Sequence, residues 1–185
     1  DIPATQLVAD YWDTHDRRLD DWGVTLRRRD ADGGARTEWT IKLPLRGSAD
    51  GVQRRQELTI DTSSTTPPAE LRTLLTAMAR GAALEPVARI ITDRRRRRVG
   101  NDLWTDAVEI TDDRVTSRVA GRTGPAFRQI EVELLDDEAH DVMGSVIDSL
   151  RTGGLDPSRD DSKLRRVLGS SAPDPNTPTP ASKKK

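Results

Sequence analysis

Ile130-Glu131-Val132-Glu133-Leu134 alternates apolar and acidic side chains at every step. In a strand, residues two apart share a face, so Ile130, Val132 and Leu134 fall on one side and Glu131 and Glu133 on the other. A helix would scatter the same residues around its axis. Upstream, the same period recurs in short runs broken by Gly, Asp and Pro, which predicts seven strands, near 8–13, 23–29, 38–45, 53–61, 87–99, 106–115 and 127–135. This is the pattern of a meandering antiparallel sheet, without internal repeat.

Three segments change period. After Pro67-Pro68-Ala69-Glu70, leucines at helical spacing run from Leu71 to Met78 and stop at Gly81. A second helix is expected over 137–151, with Val142, Val146, Ile147 and Leu150 on one face and Gly153-Gly154 as its stop, and a shorter third over 158–168. The fold class is therefore α+β, mainly antiparallel β, in one domain over 1–168. Residues 169–185 are Pro-rich and nearly free of apolar side chains, as expected of a linker or disordered end, with Lys183 to Lys185 as a flexible basic terminus.

Of 185 residues, 34% are hydrophobic and 3% aromatic, so the core should be thin. The 30 basic residues are matched by 31 acidic ones, so any anion site must come from local arrangement rather than from an overall field. With no cysteine, disulfides, thiolate metal sites and cysteine nucleophiles are excluded. No apolar run approaches the ~20 residues that span a bilayer, and Asp1-Ile2-Pro3 does not read as a signal peptide. The expectation is a cytoplasmic protein with no membrane partner.

The alternation sorts the charges. Arg27 and Arg29 share a face with Thr25, Lys42 with Thr40, Arg55 with Glu57 and Thr59, and Arg94, Arg96 and Arg98 with Thr92. Glu109, Thr111 and Asp113 form another such row, as do Glu131 and Glu133. One reading is a one-sided sheet whose charged face meets water. The other is a lined binding surface: guanidinium forks suit phosphate oxygens, and paired carboxylates suit a hard divalent cation. Alternation cannot say which face is inward. It does split the run Arg94 to Arg98, placing Arg95 and Arg97 opposite the other three, which favours phosphate binding over a nucleic-acid patch. His15 and His140 read as surface residues, Trp12, Trp22, Trp39 and Trp104 as core or interface, and Asp16, Asp20 and Asp21 as turn and solvation residues. No Gly-x-Ser-x-Gly motif is present.

These motifs also stand in an order that resembles one family. Tyr11-Trp12-Asp13-Thr14 is followed by Gly23-Val24-Thr25-Leu26-Arg27-Arg28-Arg29, Trp39-Thr40-Ile41-Lys42-Leu43 and Arg55-Gln56-Glu57. Pro86-Val87-Ala88-Arg89, Thr92-Asp93-Arg94, Glu109-Ile110-Thr111-Asp112-Asp113, Ile130-Glu131-Val132-Glu133-Leu134 and Ser162-Lys163-Leu164 close the series. Over 8–168 the chain resembles the CYTH domain, or triphosphate tunnel metalloenzyme, family.

The resemblance implies an eight-stranded antiparallel tunnel, with about seven strands here, that binds triphosphate or polyphosphate with Mg²⁺ or Mn²⁺. Family activities include inorganic, thiamine and RNA triphosphatase and one class of adenylate cyclase. By resemblance Arg27, Arg29, Lys42, Arg55, Arg94 and Arg96 bind phosphate, and Glu131 and Glu133 bind metal with Asp113 or Glu109 assisting. Lys163 reaches the tunnel mouth and joins Glu131 and Glu133 in catalysis. The tail resembles the linker to a CHAD domain in longer relatives. The family's opening Glu-x-Glu-x-Lys strand has no counterpart before Tyr11. The chain is then a fragment without its first strand or a natural variant with a broken metal site, and a non-catalytic polyphosphate-binding module is the alternative to a triphosphatase. Nucleic acid is the weaker third reading, given a net charge of −1.

Overall fold

The computed structural model describes residues 2–31, 36–45, 55–158 and 162–169. Its strands are β1 (Ile2–Asp13), β2 (Thr25–Ala31), β3 (Arg36–Pro44), β4 (Arg55–Asp61), β5 (Glu85–Val99), β6 (Val108–Val119), the two-residue β7 (Arg122–Thr123) and β8 (Phe127–Leu134). The helices are α1 (Arg18–Asp21), α2 (Ala69–Ala79), α3 (His140–Thr152) and α4 (Lys163–Leu168). The strands form one antiparallel sheet in the order β4-β3-β2-β1-β5-β6-β7, and β8 joins β6. Among the described residues β4 and β8 each pair with a single strand, and the sheet they form does not close into a barrel.

The two faces of the sheet bury different things. Leu26, Trp39 and Ile41 of one face pack with Leu19 of α1 and with Leu71 and Leu75 of α2. On the same face, Val108, Ile110 and Val132 pack under Val142 and Met143 of α3. These helices define the outside. α4 lies against the opposite face, where Leu164 and Val167 cover Ala9, Tyr11, Ala88, Ile90 and Val115. Thus one end of the inner face is apolar and plugged, and the rest carries charge.

The sheet also curls. Lys42 of β3 and Glu131 of β8 lie near opposite ends of the strand order, yet Glu131 acts on the Lys42 ammonium through space. Arg29 on β2 likewise senses Arg94 on β5, with β1 between them. The inner face is therefore concave.

Several boundaries depart from the periodicity. β1 begins at Ile2 rather than at 8, because Ile2 pairs with Arg96 and Thr5 with Arg94, and Gln6 Nε2 donates to Asp93 at 2.8 Å. That pairing is long-range and leaves no alternating signature in Pro3-Ala4-Thr5-Gln6. α1 was not expected; the buried Asp13 carboxylate nucleates it by accepting from the backbone N–H groups of Thr14, Leu19 and Asp20 at 2.7, 2.8 and 3.0 Å. α3 starts at His140 instead of 137, after a turn in which Asp136 accepts from the Glu138 N–H at 2.9 Å. α4 starts at Lys163, where the Ser162 hydroxyl caps it by accepting from Arg165 N–H at 3.2 Å. The expected start of the fourth strand at 53–54, the start of the third helix at 159–161 and the tail at 170–185 lie outside the described residues. No helix is long and apolar enough to cross a membrane among the described residues.

Candidate anion-binding site

Register partners in antiparallel strands share a face, so the ladders place each site residue in turn. Tyr11 faces Arg27, which faces Thr40, which faces Thr59. Thr25, Lys42 and Glu57 make a parallel row, with Arg55 opposite Pro44 beyond it. On the other side of β1, Thr5 faces Arg94, then Asp113, then Gln129. Arg96, Thr111 and Glu131 form the adjacent row, and Arg98, Glu109 and Glu133 the next. Arg27, Arg29, Lys42, Arg55, Arg94, Arg96, Glu109, Asp113, Glu131 and Glu133 thus all project from the concave face. Lys163 joins them from α4.

The two halves of this face differ in how their charges are matched. In the β5–β6–β8 half, Arg94 clamps the buried Asp113 with two hydrogen bonds of 2.8 Å and reaches Glu131 Oε2 at 2.9 Å. Lys163 Nζ bridges the same carboxylates, at 2.5 Å from Glu131 Oε1 and 3.0 Å from Asp113 Oδ2. Burial pushes both carboxyls up, but Lys163 and Arg94 hold both below the ordinary carboxylate range. Burial pulls the Arg94 guanidinium down, and its bonds to Asp113 raise it overall.

In the β1–β2–β3 half, cations outnumber their partners. Arg29 has Glu38 at 3.2 Å, and Lys42 has Glu57. Burial and then the neighbouring Arg27 depress both Arg29 and Lys42. Among the described residues Arg27 has no ion-pair partner, and neither has Arg96 on β5; the Nε atoms of Arg27, Arg29 and Arg96 and the Thr111 hydroxyl of β6 are buried without a hydrogen bond. Buried donors are normally satisfied, so the inner face is short of acceptors at these arginines.

Gln129 and Glu38 were not singled out from sequence. Gln129 Nε2 donates to Glu131 at 2.7 Å, and it stands two residues before Glu131, so alternation alone could have found it. Glu38 required the β2–β3 register. Asp20, read from sequence as a solvation residue, is in fact buried at 1% exposure and paired with Arg17 and Arg165, because the α1 turn folds beneath α4. Trp22 is half exposed rather than core. Arginine as such does not mark the inner face, since Arg89, Arg95, Arg114, Arg118 and Arg128 project outwards.

The four candidate metal-binding carboxylates do not assemble as one group, and among the described residues no three His, Asp or Glu side chains converge. Asp113 and Glu131 are held by cations. Glu109 and Glu133 stand opposite each other across β6 and β8, with Arg98 at 3.4 Å from Glu109. Mg²⁺ commonly uses one or two carboxylates and takes its remaining oxygens from water and substrate phosphates. That donor chemistry fits the Glu109 and Glu133 pair beside an arginine cradle. An apolar cleft of about 410 Å³ between α3 and the outer face contains none of these residues.

Residues 4–163 match the CYTH domain family, and the chain belongs to it. The family is associated with binding and hydrolysis of triphosphates. Two Mycobacterium tuberculosis proteins, MT2285 of strain CDC 1551 and Rv2226 of strain H37Rv, both described as uncharacterized, are each 33% identical over 196 residues. The match takes in 96% of this chain and 37% of each relative, so the chain spans little more than a third of their length. Among solved structures, an adenylate cyclase candidate from Bacillus halodurans superposes with a TM-score of 0.57 at 18% identity, covering 89% of this chain and 83% of that one. The PH1819 protein from Pyrococcus horikoshii gives 0.53 at 19% identity, covering 88% and 83%. HpAC1 from Hippeastrum, an adenylyl cyclase candidate described as having a dominant triphosphatase activity, gives 0.50 at 15% identity, covering 94% and 86%. At these identities the solved structures speak for the fold.

Proposed function

We propose that the concave face binds inorganic triphosphate or the end of a polyphosphate chain and, with Mg²⁺ or Mn²⁺, hydrolyses it. The observation that carries this reading is that three half-buried arginines of the inner face, Arg27, Arg29 and Arg96, each bury an Nε donor that has no partner. Tetrahedral oxyanions supply the acceptors that such donors lack.

The aromatic residues favour an inorganic ligand over a nucleotide. The chain has four Trp, one Tyr and one Phe. Tyr11 and Phe127 are the aromatics of the inner face, and both lie under α4, with the Arg166 guanidinium 4.0 Å from the Phe127 ring. Trp12 and Trp39 pack edge to face on the outside with centroids 5.3 Å apart, Trp104 packs beside α3, and Trp22 sits just after α1. No ring is left on the concave face to stack on a base or a thiamine.

In the mechanism that follows, Arg27, Arg29, Lys42, Arg55 and Arg96 hold phosphate oxygens in line and neutralise charge that builds on them. Arg94 keeps Asp113 and Glu131 ionised and fixed. Lys163, held on Glu131 and Asp113, serves the leaving phosphate. Glu131 or Glu133 orients the attacking water. A divalent ion bound through Glu109 and Glu133 would further neutralise the phosphate oxygens and activate that water. No covalent intermediate is required.

The open sheet and the occupied Asp113 and Glu131 favour one alternative, a module that holds polyphosphate without cleaving it. Phosphate release from tripolyphosphate with Mg²⁺ or Mn²⁺, alongside calorimetric binding, decides between them. Turnover abolished by excess chelator and by Glu133→Gln supports the enzyme. Binding without turnover supports the module, and absence of both overturns the anion site.

A further inference from the structure

The turn over 14–22 has a rigid connection to the concave face. The Asp20 carboxylate accepts from Arg165 Nε on Oδ1 at 2.7 Å and from Arg17 Nη2 on Oδ2 at 2.7 Å, and Arg165 Nη2 also donates to the Asp20 carbonyl at 2.6 Å. Arg17 adopts a left-handed conformation, φ 60°, an unusual state for a residue other than glycine. From there its guanidinium reaches the end of α4, donating to the Gly169 carbonyl at 2.9 Å and the Leu168 carbonyl at 3.4 Å. The turn is itself fixed from below by the three backbone N–H groups on buried Asp13. Two arginines and one carboxylate therefore tie the start of the chain's first helix to its last.

α4 has six residues, and helices below roughly 12 residues do not persist alone in water. Its contacts must decide how it sits. Each helical residue turns by about 100°, so Lys163 and Arg165 leave the axis about 200° apart. Lys163 points to Glu131 and Asp113, while Arg165 points to Asp20. Between them Leu164 and Val167 face the apolar end of the concavity, an attachment that resists removal but only weakly resists rotation.

We infer that Asp20 is a positioning residue of the anion site: its grip on Arg165, together with Arg17 on the end of α4, sets the rotation that delivers Lys163 to Glu131 and Asp113. Its consequence for ligand binding rests on the proposed anion site, whereas the mechanical coupling from Asp20 to Lys163 does not.

Two double-mutant cycles on the full chain test this, pairing Asp20→Asn with Lys163→Gln. In the first, tripolyphosphate affinity is measured by calorimetry. Asp20→Asn and Lys163→Gln should each weaken binding roughly tenfold, the scale of one lost charge-assisted contact, and the double variant should bind no more weakly than Lys163→Gln. A purely structural ion pair gives multiplied losses or none. Arg128→Gln, which breaks a bidentate pair with Asp112 on the outer surface, should leave the affinity unchanged.

The second cycle uses urea unfolding without ligand. The two residues share no contact, so independent roles give additive losses. Positioning gives a Lys163→Gln loss that shrinks at least threefold once Asp20 is changed. Arg165→Gln replaces Asp20→Asn if that variant does not fold, since it breaks the same bond and leaves Asp20 with Arg17. Additivity in this cycle, or unaltered affinity in Asp20→Asn, overturns the inference. Should the wild-type chain bind no tripolyphosphate, the anion site falls, and the urea cycle still decides the coupling.

Discussion

Arg94 and Asp113 face each other in the β5–β6 register, and two hydrogen bonds of 2.8 Å join them where the carboxylate is completely buried. An ion pair in that position is only marginally better than none once desolvation is counted, but breaking it strands a charge. Asp113→Asn, which leaves Arg94 and Lys163 facing a neutral amide, should destabilise the chain by about 3–5 kcal/mol. Urea unfolding at neutral pH measures it, and a loss below about 1 kcal/mol would mean that Glu131 alone satisfies both cations.

Arg27 and Arg96 behave in the opposite sense. Neither has an ion-pair partner among the described residues, and each buries an unsatisfied Nε. Removing them takes away ligand contacts rather than fold contacts. Arg27→Ala and Arg96→Ala should each weaken tripolyphosphate binding about tenfold or more while changing stability by less than about 1 kcal/mol. Calorimetry paired with urea unfolding separates the two effects.

Acid sensitivity should come from two sources of opposite sign. Asp113 and Glu131 are pushed up by burial but held below the ordinary value by Arg94 and Lys163. Folded protein then binds fewer protons than unfolded, so the stability they contribute is complete above a pH of about 4 and is lost as pH falls through the depressed folded values. Asp13 is raised, by burial first, against its three backbone N–H donors. It binds more protons when folded, and its contribution falls as pH rises from about 4 through the raised value. In urea midpoints recorded across this range, Asp113→Asn should flatten the acid loss. Asp13→Asn should instead gain on the wild type as pH rises.

Trp39 is fully buried on the outer face, donates from its indole nitrogen to the Ser64 carbonyl at 3.0 Å and packs edge to face on Trp12. Trp39→Ala should cost about 3–5 kcal/mol. Since it lies across the sheet from the arginines, whatever protein remains folded should bind tripolyphosphate with unaltered affinity.

Much of this architecture was legible in the sequence. The period of two in 127–134 and in the Arg94 to Arg98 run places side chains on faces without reference to neighbours, because strand geometry is local. The leucines of α2 follow from the same kind of local rule. What local rules missed was decided by distant partners. Ile2 to Leu7 became strand because β5 offers its edge, and Asp20 became a buried clamp because Arg165 comes back to it from 145 residues away.

The sequence alone therefore determined that these charged residues would share faces, since alternation is a property of the backbone and survives in any tertiary setting. It could not determine which face was inside, since that depends on where α2 and α3 pack. Nor could it divide the inner-face charges into a matched set, Arg94, Asp113, Glu131 and Lys163, and arginines with unsatisfied donors, Arg27, Arg29 and Arg96. Ion pairing acts over a few ångströms across strands far apart in the chain, so only the curl of the sheet and the seating of α4 could decide it.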